Sequence, residues 1–262
     1  MTLTGSMTEE HTARGVPIGA TTGLVLESVQ SALRDRVVVL PQVHPFHDSE
    51  ARDYAICLLG LMHGPISALA TANPATLTRL CRSMNRNRAH LDGDLRTGAC
   101  SLPGGDAHQL DAYLRPQKHL AERLAAISGD LTLGDLWPEL QGVVTWTGGS
   151  CGYALDALRP LLADETNIYE AGYQASECIG TVNVSPDLNL CLPALEATFF
   201  EFVSLEDREA GRMHFHDLST IDVGSDYYVY VTTANGLYRY DMNDIVRVSG
   251  RFRATPTFEF VR

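Results

Sequence analysis

Apolar side chains recur every three to four residues in the first half of the chain and every two residues in the second half. The first pattern predicts helices over 22–37, 49–64, 73–91 and 106–128, the last interrupted near Pro116. Apolar runs between the helices predict buried strands over 37–43, 66–72 and 142–149. The period of two predicts strands within 166–173, 197–204, 212–218, 226–233, 237–250 and 256–261. The pattern therefore predicts an α/β fold, with a mixed sheet flanked by helices and a β-rich, barrel-like second half.

The same pattern gives an expected domain organisation. Residues 1–20 contain Gly, Thr and Pro without an apolar period, and we expect them to form a disordered leader. Residues 21–262 are expected to form one partial domain. Its α/β part covers 21–140, and its β-rich part covers 141–262.

Composition narrows the class of protein. The formal net charge of −12 argues against a nucleic-acid surface and against a polybasic membrane patch. The sequence contains no run of 18 apolar residues, so we expect no transmembrane helix. Its six cysteines form no CxxC pair, which is typical of reduced thiols in a cytoplasmic protein.

The first candidate site motif is TWTGGSCGYAL, residues 145–155. It reads as a strand, a Gly148-Gly149 turn, Ser150 and then the start of a helix. Paired glycines let a flat or charged ligand approach the backbone, and a helix N-terminus offers free N–H groups. An ordinary turn explains the same residues.

The second motif is YEAGYQASECIG, residues 169–180, which carries Tyr173, Ser176 and Glu177 between apolar strands. A glutamate is uncommon in such a segment unless it is paired or binds a ligand. A carboxylate beside a glycine turn suits Mg²⁺ bound to phosphate oxygens. A helix cap or a surface loop is the alternative. Cys178 has no histidine base nearby in sequence, so we do not assign it as a nucleophile.

The third motif follows the hairpin signal Asn235-Gly236. In a regular strand Asp244 would lie on the more apolar face, which is costly without a partner. The hydroxyl groups of a ribose could donate to this carboxylate. The alternative is an aspartate of an edge strand or a bulge that forms an ion pair with Arg239 or Arg247. A loop over DMND, residues 241–244, also stays open.

A pair of histidines in the second half is a further candidate for metal binding. His214 and His216, with Asp217 nearby, would share a strand face. The sequence offers no third ligand at a suitable spacing, so we do not predict a metal site here.

Taken in order, TGGSCGYAL, YQASECIG and GLYRYDMNDIVRVSG resemble the middle of the auxin-responsive Gretchen Hagen family of acyl-acid amido synthetases, a branch of the adenylate-forming ligases. ATFFEFVS and PTFEFVR are similar to strands of that family. The resemblance covers roughly 140–262, and residues 15–100 are similar only in pattern.

The resemblance implies ATP-dependent adenylation of a small carboxylic acid and transfer of the acyl group to an amine or amino acid. In that scheme Gly148, Gly149 and Ser150 lie along the adenine, and Tyr173 and Ser176 lie near the adenylate. Glu177 corresponds to the catalytic glutamate that binds Mg²⁺ and phosphate. Asp244 corresponds to the aspartate that binds the ribose, and Asn243 stands where the family has glycine.

Two family features have no counterpart that we recognise in the sequence: the phosphate loop ending in lysine, and the small C-terminal domain with its catalytic lysine. Lys118, the only lysine, does not correspond to either one. We therefore expect the central part of a larger enzyme, with catalysis dependent on the missing parts. Two alternatives stay open: a non-catalytic small-acid or protein-interaction module that keeps the fold, and a chain that pairs with a partner or with itself.

Overall fold

The structure is a computed structural model that describes residues 1–5, 8–20, 22, 37, 38, 40, 43, 46, 48–102 and 107–262. The predicted helix over 22–37 and much of the predicted strand over 37–43 lie outside the described residues. The chain divides into two compact units, one of 1–144 with 154–168 and one of 145–153 with 169–262. The predicted boundary after residue 140 stays a prediction.

Helices dominate the first unit. They include α1 (Ser49–Met62), α2 (Ala75–Arg86), α3 (Arg88–Thr97), α4 (Lys118–Ala125) and α5 (Leu133–Leu136), with a 3₁₀ segment over Ala107–Tyr113. Asp48 caps α1, because its side chain accepts a hydrogen bond from the Ala51 N–H. Among the described residues, no helix has the length and apolar character needed to cross a membrane.

The predicted helix over 73–91 is in fact two helices that meet at Asn87. The Asn87 backbone leaves the helical region, with φ −103° and ψ 23°. Its side-chain amide and its backbone N–H both donate to the Ser83 carbonyl oxygen, each at 3.0 Å. This side-chain bond competes with the regular helix ladder, as asparagine commonly does.

A short sheet lies in the order β3 (Ala68–Ala70), β4 (Gly142–Thr145) and β5 (Asn167–Glu170), and β3 and β4 are parallel. Side chains such as Leu69 and Val143 are fully buried. Burial of an aliphatic side chain stabilises the fold by about 1.5–3 kcal/mol. This apolar strand pair is therefore part of the core of the first unit.

The first residues differ from the expected disordered leader. The Leu3 N–H donates to the Ala70 carbonyl at 2.8 Å, and the Ala70 N–H donates to Met1 at 2.9 Å. The Met1 side chain is also buried in the core. Residues Met1–Leu3 thus satisfy their backbone groups by extending along β3. Further on, β1 (Glu10–His11) pairs with β2 (Pro17–Ile18) in a short antiparallel hairpin.

The β-rich second half is confirmed. An open antiparallel sheet has the order β11-β10-β9-β8, formed by β8 (Thr198–Ser204), β9 (Asp226–Thr233), β10 (Tyr240–Phe252) and β11 (Thr255–Phe260). A separate hairpin joins β6 (Thr181–Asn183) to β7 (Cys191–Pro193). Helix α6 covers Gly152–Leu158, and α7 covers Leu205–Glu209. The predicted strand over 212–218 is reduced to a single bridge between Phe202 and His216.

Strand β10 is not regular: it contains a bulge, which the sequence left open as the alternative to regular alternation. Asp241 pairs with Tyr230 and Ile245 pairs with Tyr228, so three residues of β10 stand opposite one residue of β9. Asn243 lies in this bulge with φ +56°. Bulges redirect side chains locally, and here the redirected residue is Asp244.

Candidate functional site

The candidate site begins with a hydrogen bond between two of the predicted residues. The Tyr173 hydroxyl donates to Asp244 Oδ2 at 2.5 Å, and the two residues are 71 positions apart in sequence. Both side chains are half-buried. The structure therefore brings the second and third motifs together, as the resemblance implies.

No arginine among the described residues pairs with Asp244. Arg239 instead pairs with Glu201 at 2.6 Å, and Arg247 pairs with Asp226 at 2.7 Å. This result rules out both ion pairs that the sequence left open. The Asp244 carboxylate is held by a neutral hydroxyl alone among the described residues, so its charge is not balanced.

The electrostatics of Asp244 follow from this arrangement. Burial raises the pKa of Asp244 and the nearby Glu177 charge raises it further, while the bond from Tyr173 lowers it. Burial and the same bond raise the pKa of Tyr173, so its hydroxyl remains a donor at neutral pH. Two acidic groups in one partly buried place repel each other unless a cation or hydrogen-bond donors compensate them.

Glu177 and Ser176 lie in a tight turn that follows Tyr173. The turn is closed by a bridge between Gln174 and Ile179, and the Ala175 N–H donates to the Cys178 carbonyl at 3.0 Å. Ser176 is exposed at the turn, and Glu177 is half-buried. Within the described residues, Glu177 accepts no hydrogen bond and forms no ion pair. Its carboxylate is therefore available for a ligand.

The Gly148-Gly149 turn packs against the end of β11. A Cβ atom at Gly148 would lie 2.6 Å from the Phe260 carbonyl oxygen, and one at Gly149 would lie 3.1 Å from the Phe260 ring. The Phe260 ring in turn stacks on Tyr173, with centroids 5.4 Å apart. The space beside these glycines is thus occupied by protein, so packing is sufficient to explain why both positions are glycine.

Ser150 does not join the cluster through contacts. It is exposed in the 3₁₀ turn over Gly149–Cys151. Within the part of the chain that the structure describes, neither Ser150 nor Ser176 hydrogen-bonds to Tyr173 or Asp244. Their predicted roles beside a nucleotide stay predictions.

Glu170, which the sequence pattern did not single out, connects the first two motifs. One carboxylate oxygen of Glu170 accepts hydrogen bonds from both the N–H and the hydroxyl of Thr147, the former at 2.8 Å. The other oxygen accepts from the Gly172 N–H at 2.9 Å. Glu170 is a positioning residue for the glycine turn and for the segment leading to Tyr173. The signal in the sequence was a glutamate at the end of an apolar strand.

Cys178 does not behave as an activated nucleophile. Burial raises the pKa of the Cys178 thiol to about 11, with further contributions from the charges of Glu177 and Asp244. A reactive cysteine needs an environment that lowers its pKa. The thiol therefore stays protonated at neutral pH.

The donor and acceptor set fits a nucleotide and a hard cation. Asp244 offers an acceptor suited to hydroxyl donors. Glu177 offers a carboxylate oxygen, which is the ligand type that Mg²⁺ prefers. The geometry thus supplies acceptors for a sugar and a cation around Tyr173.

Two family models match the chain. The GH3 family N-terminal domain matches residues 1–167, and the GH3 family central domain matches residues 191–262. The matched part therefore extends further toward the N-terminus than the motifs alone indicated. Residues 168–190, which include Tyr173 and Glu177, lie between the two matches.

Individual relatives agree with these models. The chain is 25% identical over 249 residues to indole-3-acetic acid-amido synthetase GH3.17 of Arabidopsis thaliana, covering 82% of this chain and 40% of the relative. It is 28% identical over 202 residues to the probable indole-3-acetic acid-amido synthetase GH3.9 of Oryza sativa subsp. japonica, covering 72% of this chain and 45% of the relative. The chain thus spans less than half the length of these relatives.

Solved structures of acyl acid amido synthetases have a fold similar to that of this chain. A solved structure of the GH3.15 acyl acid amido synthetase superposes with a TM-score of 0.77 at 22% identity, covering 99% of this chain and 46% of that one. A second structure, AtGH3.15 in complex with 2,4-DB, gives a TM-score of 0.76 at 21% identity, covering 97% of this chain and 46% of that one. With the N-terminal family model matching more than half of its residues, the chain belongs to the GH3 family.

Proposed function

We propose that this chain contributes the nucleotide site of an acyl-acid amido synthetase, in which ATP and Mg²⁺ activate a small carboxylic acid for transfer to an amine or amino acid. The observation that carries the proposal is the half-buried Asp244 carboxylate, held by Tyr173 and close enough to Glu177 to be affected by its charge. This uncompensated acidic pair needs donors and a cation, and Mg·ATP provides both.

Each residue has a role in this proposal. Asp244 accepts hydrogen bonds from the ribose hydroxyls, and Glu177 binds the Mg²⁺ that neutralises phosphate charge. Tyr173 orients Asp244 through its hydroxyl. Gly148, Gly149 and Ser150 lie along the adenine, and Ser176 lies near the adenylate. Such a site acts by positioning and by charge stabilisation rather than by covalent chemistry from the protein.

ATP is a substrate in this scheme, and it makes the acid reactive. The carboxylate oxygen attacks the α-phosphorus, the bond to the β-phosphate oxygen breaks, and pyrophosphate leaves. An amine then attacks the acyl carbon of the mixed anhydride and AMP leaves. Indole-3-acetic acid in the names of the relatives and 2,4-DB in the solved complex support a small carboxylic acid as the substrate class.

The test is calorimetric titration of Mg·ATP into the purified chain and into Glu177→Gln and Asp244→Asn. A hydrogen bond to a charged group contributes about 1.5–3 kcal/mol, so each variant should bind at least about tenfold more weakly. Glu196→Gln and Asp222→Asn are matched controls, because both side chains are exposed in the same unit. These controls should bind as the wild type does.

Two results would contradict the proposal. One is a wild-type chain that binds no Mg·ATP. The other is unchanged affinity in both Glu177→Gln and Asp244→Asn. If the wild type binds a small acid but no nucleotide, the non-catalytic module would be favoured instead.

An exposed apolar surface supports a further polypeptide as partner. Around the β6–β7 hairpin, large apolar side chains are 49–73% exposed: Ile179, Val182, Val184, Leu188 and Leu195. Apolar groups gathered in this way often mark an interface. A clean monomer by light scattering would argue against self-association.

The free cysteines support a cytoplasmic location.

A further inference from the structure

A second group of metal-ligating side chains lies outside the residues of the nucleotide proposal. The ligand atoms of Asp207, His214 and His216 all lie within 4.8 Å of one another. Sequence spacing suggested Asp217 as the acidic neighbour, but its carboxylate accepts hydrogen bonds from Ser219 and Thr220 instead. The fold thus supplies the third ligand, from a helix that precedes the histidines.

The backbone holds His216 in place. His216 and Phe202 exchange both backbone hydrogen bonds, at 2.9 and 2.7 Å, so His216 is fixed to β8. Its ring also packs edge-on to Tyr227, with centroids 5.8 Å apart. The His214 ring lies 4.5 Å from the His216 ring. One histidine is therefore anchored, and its exposed neighbour is already beside it.

Asp207 is held in place by hydrogen bonds with Ser204 and Arg212. Helix α7 begins at Leu205, and the Ser204 hydroxyl accepts from the Asp207 N–H at 3.1 Å. Arg212 Nε donates to Asp207 Oδ1 at 2.6 Å. Asp207 Oδ2 lies 3.8 Å from His214 Nδ1. Arg212 thus orients the carboxylate, while the second oxygen faces the histidine pair.

We propose that Asp207, His214 and His216 bind one divalent transition-metal ion of the zinc type, with water completing its coordination. Imidazole nitrogen with one carboxylate oxygen is a donor set that suits Zn²⁺, Co²⁺ and Ni²⁺ better than Mg²⁺ or Ca²⁺. This ion is chemically different from the cation proposed at Glu177.

The arrangement needs a modest contraction on binding. Metal–ligand bonds of about 2.0–2.2 Å place the ligand atoms of one tetrahedral zinc about 3.3 Å apart. The exposed His214 side chain can supply this movement by rotation, while His216 stays fixed. The nearby Arg212 charge opposes the ion, so affinity should be lower than that of a closed structural zinc site.

The test is Zn²⁺ calorimetry on the tag-free chain with reduced cysteines, together with Co²⁺ titration followed by visible absorption. We expect one Zn²⁺ per chain and tetrahedral Co²⁺ bands without a thiolate charge-transfer band. His214→Ala and Asp207→Asn should each weaken binding at least tenfold. His119→Ala, which removes an exposed histidine from α4, is the matched control and should bind as the wild type does.

His214→Ala is the decisive variant because the side chain is exposed and its removal leaves the core intact. Circular dichroism of each variant checks that it is folded. Equal Zn²⁺ affinity in wild type and His214→Ala would overturn the proposal. So would a wild-type chain that binds no Zn²⁺, or Co²⁺ bands with thiolate character that persist in His214→Ala.

Discussion

The Tyr173 hydroxyl donates a 2.5 Å hydrogen bond to Asp244 across 71 residues of sequence. The bond joins the turn that carries Glu177 to the bulge of β10. Because the Tyr173 ring also stacks on Phe260, its hydroxyl is held in place by packing as well as by the carboxylate. A Tyr173→Phe substitution therefore removes the hydrogen bond and leaves the ring stacking in place.

Tyr173→Phe should lower the free energy of unfolding by about 1–3 kcal/mol, because the half-buried Asp244 carboxylate loses its donor. Urea denaturation measures this change. Tyr238→Phe is the control, since Tyr238 is 81% exposed, and its effect should stay within about 0.5 kcal/mol. Equal stability of Tyr173→Phe and wild type at neutral pH would contradict the structural role of this bond.

Asp244→Asn should change how stability depends on pH. The pKa of Asp244 is raised in the folded state, so the folded protein binds the proton more tightly than the unfolded chain does. The contribution of Asp244 to stability is therefore greatest below its ordinary pKa of about 3.9 and is lost as pH rises through the raised value.

Asparagine cannot titrate and removes this loss. Relative to wild type, Asp244→Asn should become progressively more stable as pH rises from about 4 toward neutrality. Denaturant unfolding at a series of pH values, with Asp222→Asn alongside, measures the trend. A wild type that gains stability over the variant across this range would show that the pKa is lowered instead.

Gly148→Ala and Gly152→Ala form a matched pair. A Cβ at Gly148 would lie 2.6 Å from the Phe260 carbonyl oxygen, whereas a Cβ at Gly152 meets no atom of the described part of the chain within 4 Å. Overpacking costs about 1–3 kcal/mol, so Gly148→Ala should be destabilising. Gly152 is helical, with φ −50°, and its replacement should add about 0.4–1 kcal/mol.

Thermal unfolding of both alanine variants gives the comparison. If Gly148→Ala is as stable as wild type, the β11 end does not pack against the turn. An accompanying Phe260→Leu should not rescue Gly148→Ala, because the clash is with a backbone atom.

Glu170→Gln should loosen one side of the connection between Thr147 and Gly172. The amide that replaces one carboxylate oxygen cannot accept a hydrogen bond, so one of the two sides loses its acceptor at a cost of about 1–3 kcal/mol. Hydrogen exchange at the Thr147 and Gly172 amides should speed up at one of them. Exposed Glu165→Gln is the control, and unchanged exchange at both amides would rule out this role.

Asn243 is suited to the left-handed backbone of the bulge, with φ +56°. Asn243→Gly should be nearly neutral, whereas Asn243→Ala should cost about 1 kcal/mol because alanine is strained in this region. Urea denaturation of the two variants decides this. If alanine were tolerated as well as glycine, the bulge would have to relax in solution.

The periodic patterns predicted β9 at its observed bounds, and they located β8 and β11 within a residue or two. Single residues whose backbone departs from the periodic pattern were harder to predict from the sequence. The bulge at Asn243 and the break at Asn87 both depend on a single asparagine whose backbone leaves the regular conformation. Such residues look ordinary in sequence, so the period alone carries no signal for them.

Contacts between residues far apart in sequence were also not predicted by residue spacing. Spacing identified Asp244 as a carboxylate needing a partner, but offered Arg239 and Arg247, which are nearer in sequence. The observed partner is Tyr173, and the third metal ligand is Asp207 rather than Asp217. Which side chains meet depends on how distant strands and turns pack. The spacing of residues along the chain does not reveal those contacts.

The two glycines beside Phe260 differ in whether a substitution at position 260 would let another residue replace them during evolution. Gly149 faces the Phe260 ring, so drift at position 260 toward a smaller side chain opens that space and leaves two constraints, the φ of +59° and the Val261 carbonyl oxygen 3.3 Å from the Cβ position. Gly148 faces a carbonyl oxygen that every residue type carries. No mutation at position 260 can therefore serve as a permissive step for Gly148, and lineages that lose the phenylalanine should still retain this glycine.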